Sequence, residues 1–318
     1  MPLIGTRKNP KGPDLRNLET HLFNLSGTRV KFRAPAHYHD AIGATPPHKE
    51  NVNLYEQDLF DRLDEEDLAE PPSYPLELKY WRFKGVPILD GTGVLGDMRL
   101  HVSIQHLPEF ISLFRPLHLE CAVERCIYSS PNAYKNSGQC RLDWQVREIN
   151  GSDWVGYRSH HLTTDEGCGY ESVWHTPITD EHLLTVRFNQ GIGKKRTRLA
   201  EVYQNIIDLV MNSFEIQLSS DAKAQRTYIK QQFSNEYLSE NLPPYEFEEI
   251  ELLGELDLIN QVSADHNHDL SIPDDIFDAQ VQEKDQAQRR RAEETRAKIL
   301  ASHLRFKAPK EDPVPHNG

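Results

Sequence analysis

The sequence predicts an α+β domain: a twisted antiparallel β-sheet packed with two main helices and followed by a charged C-terminal helical extension. Three observations carry that prediction. Apolar side chains alternate at period 2 in several segments between residues 18 and 218, and they recur every three or four positions in two others. The alternating segments are also joined by short turns, which favour antiparallel pairing because a parallel pair needs a crossover of about a dozen residues or more.

Taken in order, Phe23 and Leu25, then Val30 and Phe32, flank Ser26-Gly27 and form an opening hairpin. Leu76, Leu78 and Tyr80 alternate with Glu77, Lys79 and Trp81 in a further strand. Between them lies an insertion at residues 40–73, with paired prolines at both ends and a short acidic helix carrying Leu54, Tyr55, Leu59, Phe60 and Leu63. Met98, Leu100, Val102 and Ile104 then point one way while Arg99, His101 and Ser103 point the other, as in a half-buried strand. Leu119, Ala122, Val123, Cys126 and Ile127 recur at helical spacing, and Pro116 marks the first turn, the one helical position that proline tolerates.

Alternation resumes at Leu142, Trp144 and Val146 and runs into Asn150-Gly151, the dipeptide suited to a type I′ hairpin because both central residues need positive φ. Return strands follow at 154–160 and 170–175, Thr176-Pro177 turns the chain, and Leu184, Val186 and Phe188 alternate in another. Leu199, Val202, Ile206 and Val210 form a second helical stripe, and Phe214, Ile216 and Leu218 alternate in a closing strand. The chain thus divides into an N-terminal arm at 1–17, an α+β core at 18–220 that carries the insertion, and a polar extension at 221–318.

Composition narrows the class. The apolar share of 37% is low for 318 residues, so part of the chain lies outside any core. That part is the last hundred residues: 257–278 is acidic without a sustained period, and 283–305 is almost wholly charged. It reads as a solvated helix docking through Ile299, Leu300, Leu304 and Phe306, or as a tail that folds on a partner. A formal charge of −13 argues against a nucleic-acid protein. No run of 18 apolar residues exists to span a bilayer, and Met1-Pro2-Leu3-Ile4-Gly5 lacks the apolar stretch of a secretory signal, which leads to an expected cytoplasmic location. Cys121, Cys126, Cys140 and Cys168 lack a C-x-x-C spacing and read as reduced thiols.

Each candidate for chemistry has a plainer reading beside it. Gly91-Thr92-Gly93-Val94-Leu95-Gly96 matches a dinucleotide fingerprint, but a strand rather than a helix follows it, so it reads as a hairpin loop. His37 with His39, His160 with His161, and His266 with His268 are close pairs without the three or four converging ligands that zinc requires. Cys168, His175 and Asp165 lie too near one another in sequence to favour a catalytic group over a turn. No cofactor and no metal is expected.

Two groups fit binding better. Trp81, Trp154, Tyr157 and Trp174 lie on or near strands; buried, they are core, and gathered on an outer face they mark an interface. Lys194, Lys195, Arg196 and Arg198 precede a helix whose dipole disfavours cations, which suits an acidic partner, the acidic stretch 246–251 of this chain, or plain solvation.

The layout resembles the DcrB-like and PsbP-like group of α+β domains over residues 18–218. The resemblance rests on the opening strands at 21–33, the strand that passes through Leu107-Pro108 into a helix at 102–127, the meander, and the helix that runs through Ser213-Phe214 into a strand at 206–218. It implies kinship with adaptor chaperones or accessory proteins of the bacterial type VI secretion system, which bind effector segments on the sheet. This chain departs from them in its greater length, its insertion and its charged tail. The expected function is a non-enzymatic protein-binding module, such as a secretion-effector adaptor chaperone or a toxin immunity protein, with an effector or toxin as partner. The alternative is a small metal- or cysteine-dependent hydrolase.

Overall fold

The computed structural model describes residues 6, 9–38, 49–56, 58–60, 71–86, 93–128, 139–161, 167–193 and 197–246. The chain divides into two units, Met1–Glu249 and Ile250–Gly318, and the second lies outside the described residues together with the readings made for 257–278 and 283–305.

The first unit has the α+β class. Its strands are β1 (Leu18–Leu25), β2 (Thr28–Pro35), β3 (Asn51–Val52), β4 (Ser73–Lys84), β5 (Val94–His106), β6 (Gln139–Ile149), β7 (Ser152–His161), β8 (Gly167–Pro177), β9 (His182–Gly193), β10 (Glu215–Gln217) and β11 (Tyr245–Glu246). The helices are α1 (Pro116–Tyr128), α2 (Thr197–Met211) and α3 (Ser220–Gln232). Among the described residues no helix is long and apolar enough to cross a membrane.

Turn chemistry is as the sequence dictates. Ser26 and Gly27 (φ 48° and 89°) close the β1–β2 hairpin, and Asn150 and Gly151 (φ 50° and 80°) close β6–β7. Both pairs have the double positive φ of a type I′ turn, whose twist matches that of the strands it joins. The helix α1 starts at Pro116, where a missing N–H costs nothing.

The described strands form two sheets rather than one. Seven pair antiparallel in the order β11-β6-β7-β8-β9-β5-β4, while β10-β2-β1-β3 forms a separate sheet in which β1 and β3 run parallel. The opening hairpin has its own layer because Phe23, Leu25, Val30 and Phe32 join one buried cluster with Met98, Leu100, Val186 and Phe188 from the large sheet. The large sheet thus buries one face, its inner face, against the small sheet and α2. A second cluster on its outer face joins α1, through Leu119, Ala122, Val123, Cys126 and Ile127, to Val155, Tyr157, Val173 and Leu183.

Three further expectations change. The compact unit runs past residue 220, because Ala222 and Ile229 of α3 belong to the main core. Residues 53–56 and 58–60 of the insertion form turns, not a helix; Leu54 and Phe60 are nonetheless buried, so packing rather than helicity holds the segment. From Glu77 onward the buried side of β4 is the odd-numbered one, so Glu77 and Lys79 lie inside with Trp81 and Phe83. The burial is tolerated because both charges are paired. His21 reaches Glu77 at 2.7 Å and Glu19 reaches Lys79 at 2.7 Å, so the network ties β1 of one sheet to β4 of the other.

The glycine fingerprint has a structural use where the chain is described. Gly93 takes φ 76° and β5 begins at the next residue, so the second half of the motif, with Gly96, is strand rather than the start of a helix. Gly96 lies where α2 crosses β5 and β9, and a methyl group there would meet the Gly191 carbonyl, the Tyr203 hydroxyl and Leu199. Tyr203 donates to the Gly191 carbonyl at 2.8 Å across this crossing. Gly96→Ala is expected to destabilise the fold by about 1–3 kcal/mol through overpacking, measured as a lower urea midpoint with an unchanged slope. No loss would mean that α2 does not pack here.

Candidate functional site

The strand register decides which side chains share the outer face. Tyr80 of β4 lies beside Arg99 of β5, which lies beside Asn189 of β9; one step along, Leu78, His101 and Arg187 form the next row. Arg82 lies beside Asp97. Helix α1 covers the other end of this face, over Val155, Tyr157, Val173 and Leu183. At the end that α1 leaves, Arg99 and His101 are exposed, and Tyr80, Arg82 and Arg187 are half-buried.

Beneath α1 several polar groups pair with one another. Thr185 donates its hydroxyl to Gln105 Oε1 at 2.8 Å, and the same oxygen accepts from Cys126 Sγ at 3.1 Å. Because that hydroxyl donates to Gln105, it accepts from His175, so Nδ1 of His175 carries the proton of the 3.0 Å contact. His175 is fully buried, and burial, followed by the nearby Arg187 charge, pushes its pKa down to about 3. A neutral, hydrogen-bonded imidazole of this kind is a structural group.

The uncovered end is different. Lys84 lies over the Tyr38 ring at 5.0 Å and Arg82 over the same ring at 5.4 Å. Arg82 also lies 5.7 Å from the Tyr80 ring, and Arg99 lies over Tyr80 at 5.7 Å. The result is an alternating stripe, Lys84–Tyr38–Arg82–Tyr80–Arg99, held by cation–π contacts. Lys84 Nζ donates to the Tyr38 hydroxyl at 2.7 Å, and Tyr38 is anchored to the edge of β4 through its N–H to the Tyr80 carbonyl at 3.0 Å. His37 completes the edge by accepting the Tyr80 N–H at 3.1 Å.

The stripe's cations rest on rings rather than on carboxylates. Arg115, Arg125, Arg141, Arg147, Arg158 and Arg187 each reach a carboxylate. Arg82, Lys84 and Arg99 make no ion pair among the described residues and rest on tyrosine instead. The positive field reaches His101, whose pKa is lowered first by desolvation and then by Arg187 and Arg99. Asp97, beside Arg82, has its pKa raised, because burial outweighs the two arginines that would lower it.

No protein-family model matches this chain, and no curated protein matches it. Among solved structures it is similar to LpqN, a protein involved in cell envelope biogenesis of Mycobacterium tuberculosis, at 9% identity and a TM-score of 0.28. That alignment covers 49% of this chain and 88% of LpqN.

The residues singled out in the sequence fall into separate places. Trp81, Trp154 and Trp174 lie in the inner core and Tyr157 lies under α1, so the four form no outer patch. Their apolar area is what the two cores bury, at 0–4% exposure. Trp81 satisfies its indole N–H on the Pro35 and Ala36 carbonyls at 3.2 and 3.1 Å, as a core tryptophan does. Arg198 is exposed in the first turn of α2, while Lys194, Lys195 and Arg196 lie outside the described residues.

Cys168 and His175 stand seven residues apart on the single strand β8, so their Cα atoms are roughly 23 Å apart and form no catalytic pair. Asp165, His39, His266 and His268 lie outside the described residues. Of the remaining pair, His160 stacks on Tyr170 at 4.8 Å. Among the described residues no three His, Cys, Asp or Glu side chains gather as a metal site.

The stripe was not singled out from sequence. The signal lies in Tyr80-Trp81-Arg82-Phe83-Lys84, where aromatic and cationic residues alternate on a strand. Reading the even-numbered side as the outer one would have exposed it.

Proposed function

We propose that this chain is a cytoplasmic, non-enzymatic protein-binding module that receives a segment of another protein on the uncovered end of the large sheet's outer face. One observation supports the reading: a seven-stranded sheet whose outer face is covered by α1 at one end and presents Arg99 and His101 to solvent at the other. A sheet face built from rigid strands holds its side chains in fixed positions, which lowers the ordering cost of binding. Arginine and tyrosine are also the residue types on which binding energy concentrates.

An adaptor chaperone holding an effector segment and an immunity protein holding a toxin are both versions of this reading, and a receiving face on a sheet suits the first. Of the residues that the hydrolase alternative would use, Cys168 and His175 stand apart on β8.

The test is copurification from the native host with the unaltered chain and with Arg82→Gln/Arg99→Gln. A specific partner retained by the first and lost by the second is the expected result. A partner held equally by both would overturn the reading.

A further inference from the structure

We infer that the stripe binds an extended acidic polypeptide segment, with carboxylates on alternate residues. The inference rests on the binding-module reading above and names what that surface takes.

Three features lead to this occupant. The first is sign. On a chain with a formal charge of −13, Lys84, Arg82 and Arg99 are gathered on one surface with no ion pair among the described residues. Three cations that outnumber the neighbouring Asp97 carboxylate attract an anionic partner and speed its encounter.

Spacing is the second. Tyr80, Arg82 and Lys84 follow one another at every second position of β4, so their side chains recur at roughly 7 Å along the strand. An extended peptide laid along β4 repeats its own side chains at the same interval, so carboxylates at i and i+2 match Arg82 and Lys84 in step. Arg99 lies one strand inward, beside Tyr80, and extends the same stripe.

The third is preorganisation. Each tyrosine ring already carries two of the chain's own cations. Arg82 and Arg99 thus lie against tyrosine rings before any ligand arrives, and a guanidinium offers the paired hydrogen bonds that a carboxylate accepts. The same arrangement argues against single-stranded nucleic acid, whose bases need open aromatic faces on which to stack.

The experiment uses the full chain and a fluorescent poly-L-glutamate probe at low salt. Saturable binding is expected, weakened about tenfold or more by Arg82→Gln/Arg99→Gln and by raising salt from about 50 to 300 mM, as screening of exposed charges demands. Arg82→Lys/Arg99→Lys preserves charge but not the planar fork, and is expected to bind between the two. Unchanged thermal midpoints of both variants exclude misfolding, since both side chains reach solvent.

Absence of probe binding, or binding indifferent to the double substitution, would overturn the inference. So would displacement of the probe by millimolar inorganic phosphate, which marks a small-anion site, or tighter binding of oligo(dT), which marks a nucleic-acid surface. The two proposals fail separately. If the probe does not bind while the host partner is still lost on Arg82→Gln/Arg99→Gln, the acidic occupant is wrong and the binding surface stands.

Discussion

Replacing Trp154 with alanine is expected to lower the free energy of unfolding by about 3–5 kcal/mol, the range for deleting a fully buried large aromatic ring. Trp154 is 0% exposed on the inner side of β7, and its ring meets Phe214 edge-on at 5.3 Å. Phe214 in turn stacks on Phe32 of the small sheet at 4.7 Å, so the tryptophan stands at one end of a ring chain that joins the two layers. Its removal leaves a cavity at that junction, which the surrounding strands fill only in part.

Phenylalanine substitutions separate packing from hydrogen bonding. The Trp154 indole N–H makes no hydrogen bond among the described residues, so Trp154→Phe loses area alone. Trp81→Phe also strips a donor from the Pro35 and Ala36 carbonyls and is expected to cost about 1–3 kcal/mol more. Urea unfolding of the three variants checks this order. A loss below about 1 kcal/mol for Trp154→Ala would place the ring at the surface and return it to the candidates for binding.

Stability is expected to fall steeply as the pH drops from 7 to 4. Burial, then the neighbouring His106, lowers the His182 pKa to about 4, and burial with Arg187 lowers that of His175 to about 3. In the unfolded chain both titrate near the ordinary value of about 6.5. Between that value and the native ones the unfolded state binds more protons, so stability rises with pH and is lost as pH falls through the window. By pH 4 the loss is on the order of 3 kcal/mol from each group.

Glu77 acts in the same direction at lower pH. Burial alone would raise its pKa, but the His21 hydrogen bond and the Lys79 charge outweigh it and hold the carboxyl below the ordinary glutamate range. Its contribution is therefore present above the ordinary carboxylate range and disappears on further acidification.

The geometry explains why His182 resists protonation. Its ring stacks on His106 at 4.8 Å, tilts against Phe60 at 5.5 Å, and meets Tyr55 edge-on at 5.7 Å. Glu181 approaches His106 at 3.6 Å, and Thr179 Oγ1 lies 2.8 Å from His182 Nδ1. A charge on His182 would be desolvated and would lie against the His106 ring. Denaturant midpoints at pH 7, 5.5 and 4 test the slope, and His182→Phe is expected to flatten it by about half. A constant midpoint across that range would contradict both assignments.

What the sequence made legible follows from the range of the physics involved. Hairpins, amphipathic helices and the start of α1 are local events, fixed by φ preferences and side-chain periodicity, and they stand where Ser26-Gly27, Pro116 and Asn150-Gly151 put them. The split into two sheets is a long-range event. Whether Phe23 and Phe32 extend one sheet or face another depends on partners more than a hundred residues away, such as Val186 and Phe214. The face of β4 was obscured for a related reason: two charged residues inside a core look like a solvent side until Glu19 and His21 are known to meet them. The candidate site was hidden by the same inversion, because exposing Tyr80, Arg82 and Lys84 required burying Glu77 and Lys79.

The most direct test of where binding occurs is hydrogen exchange on the copurified complex, compared with the chain alone. Protection is expected in β4 and in the part of β5 that carries Arg99 and His101, together with residue 38, and no change is expected around α1. Protection confined to α1 or to the small sheet, with β4 unchanged, would contradict the assignment of the uncovered sheet face as the docking surface.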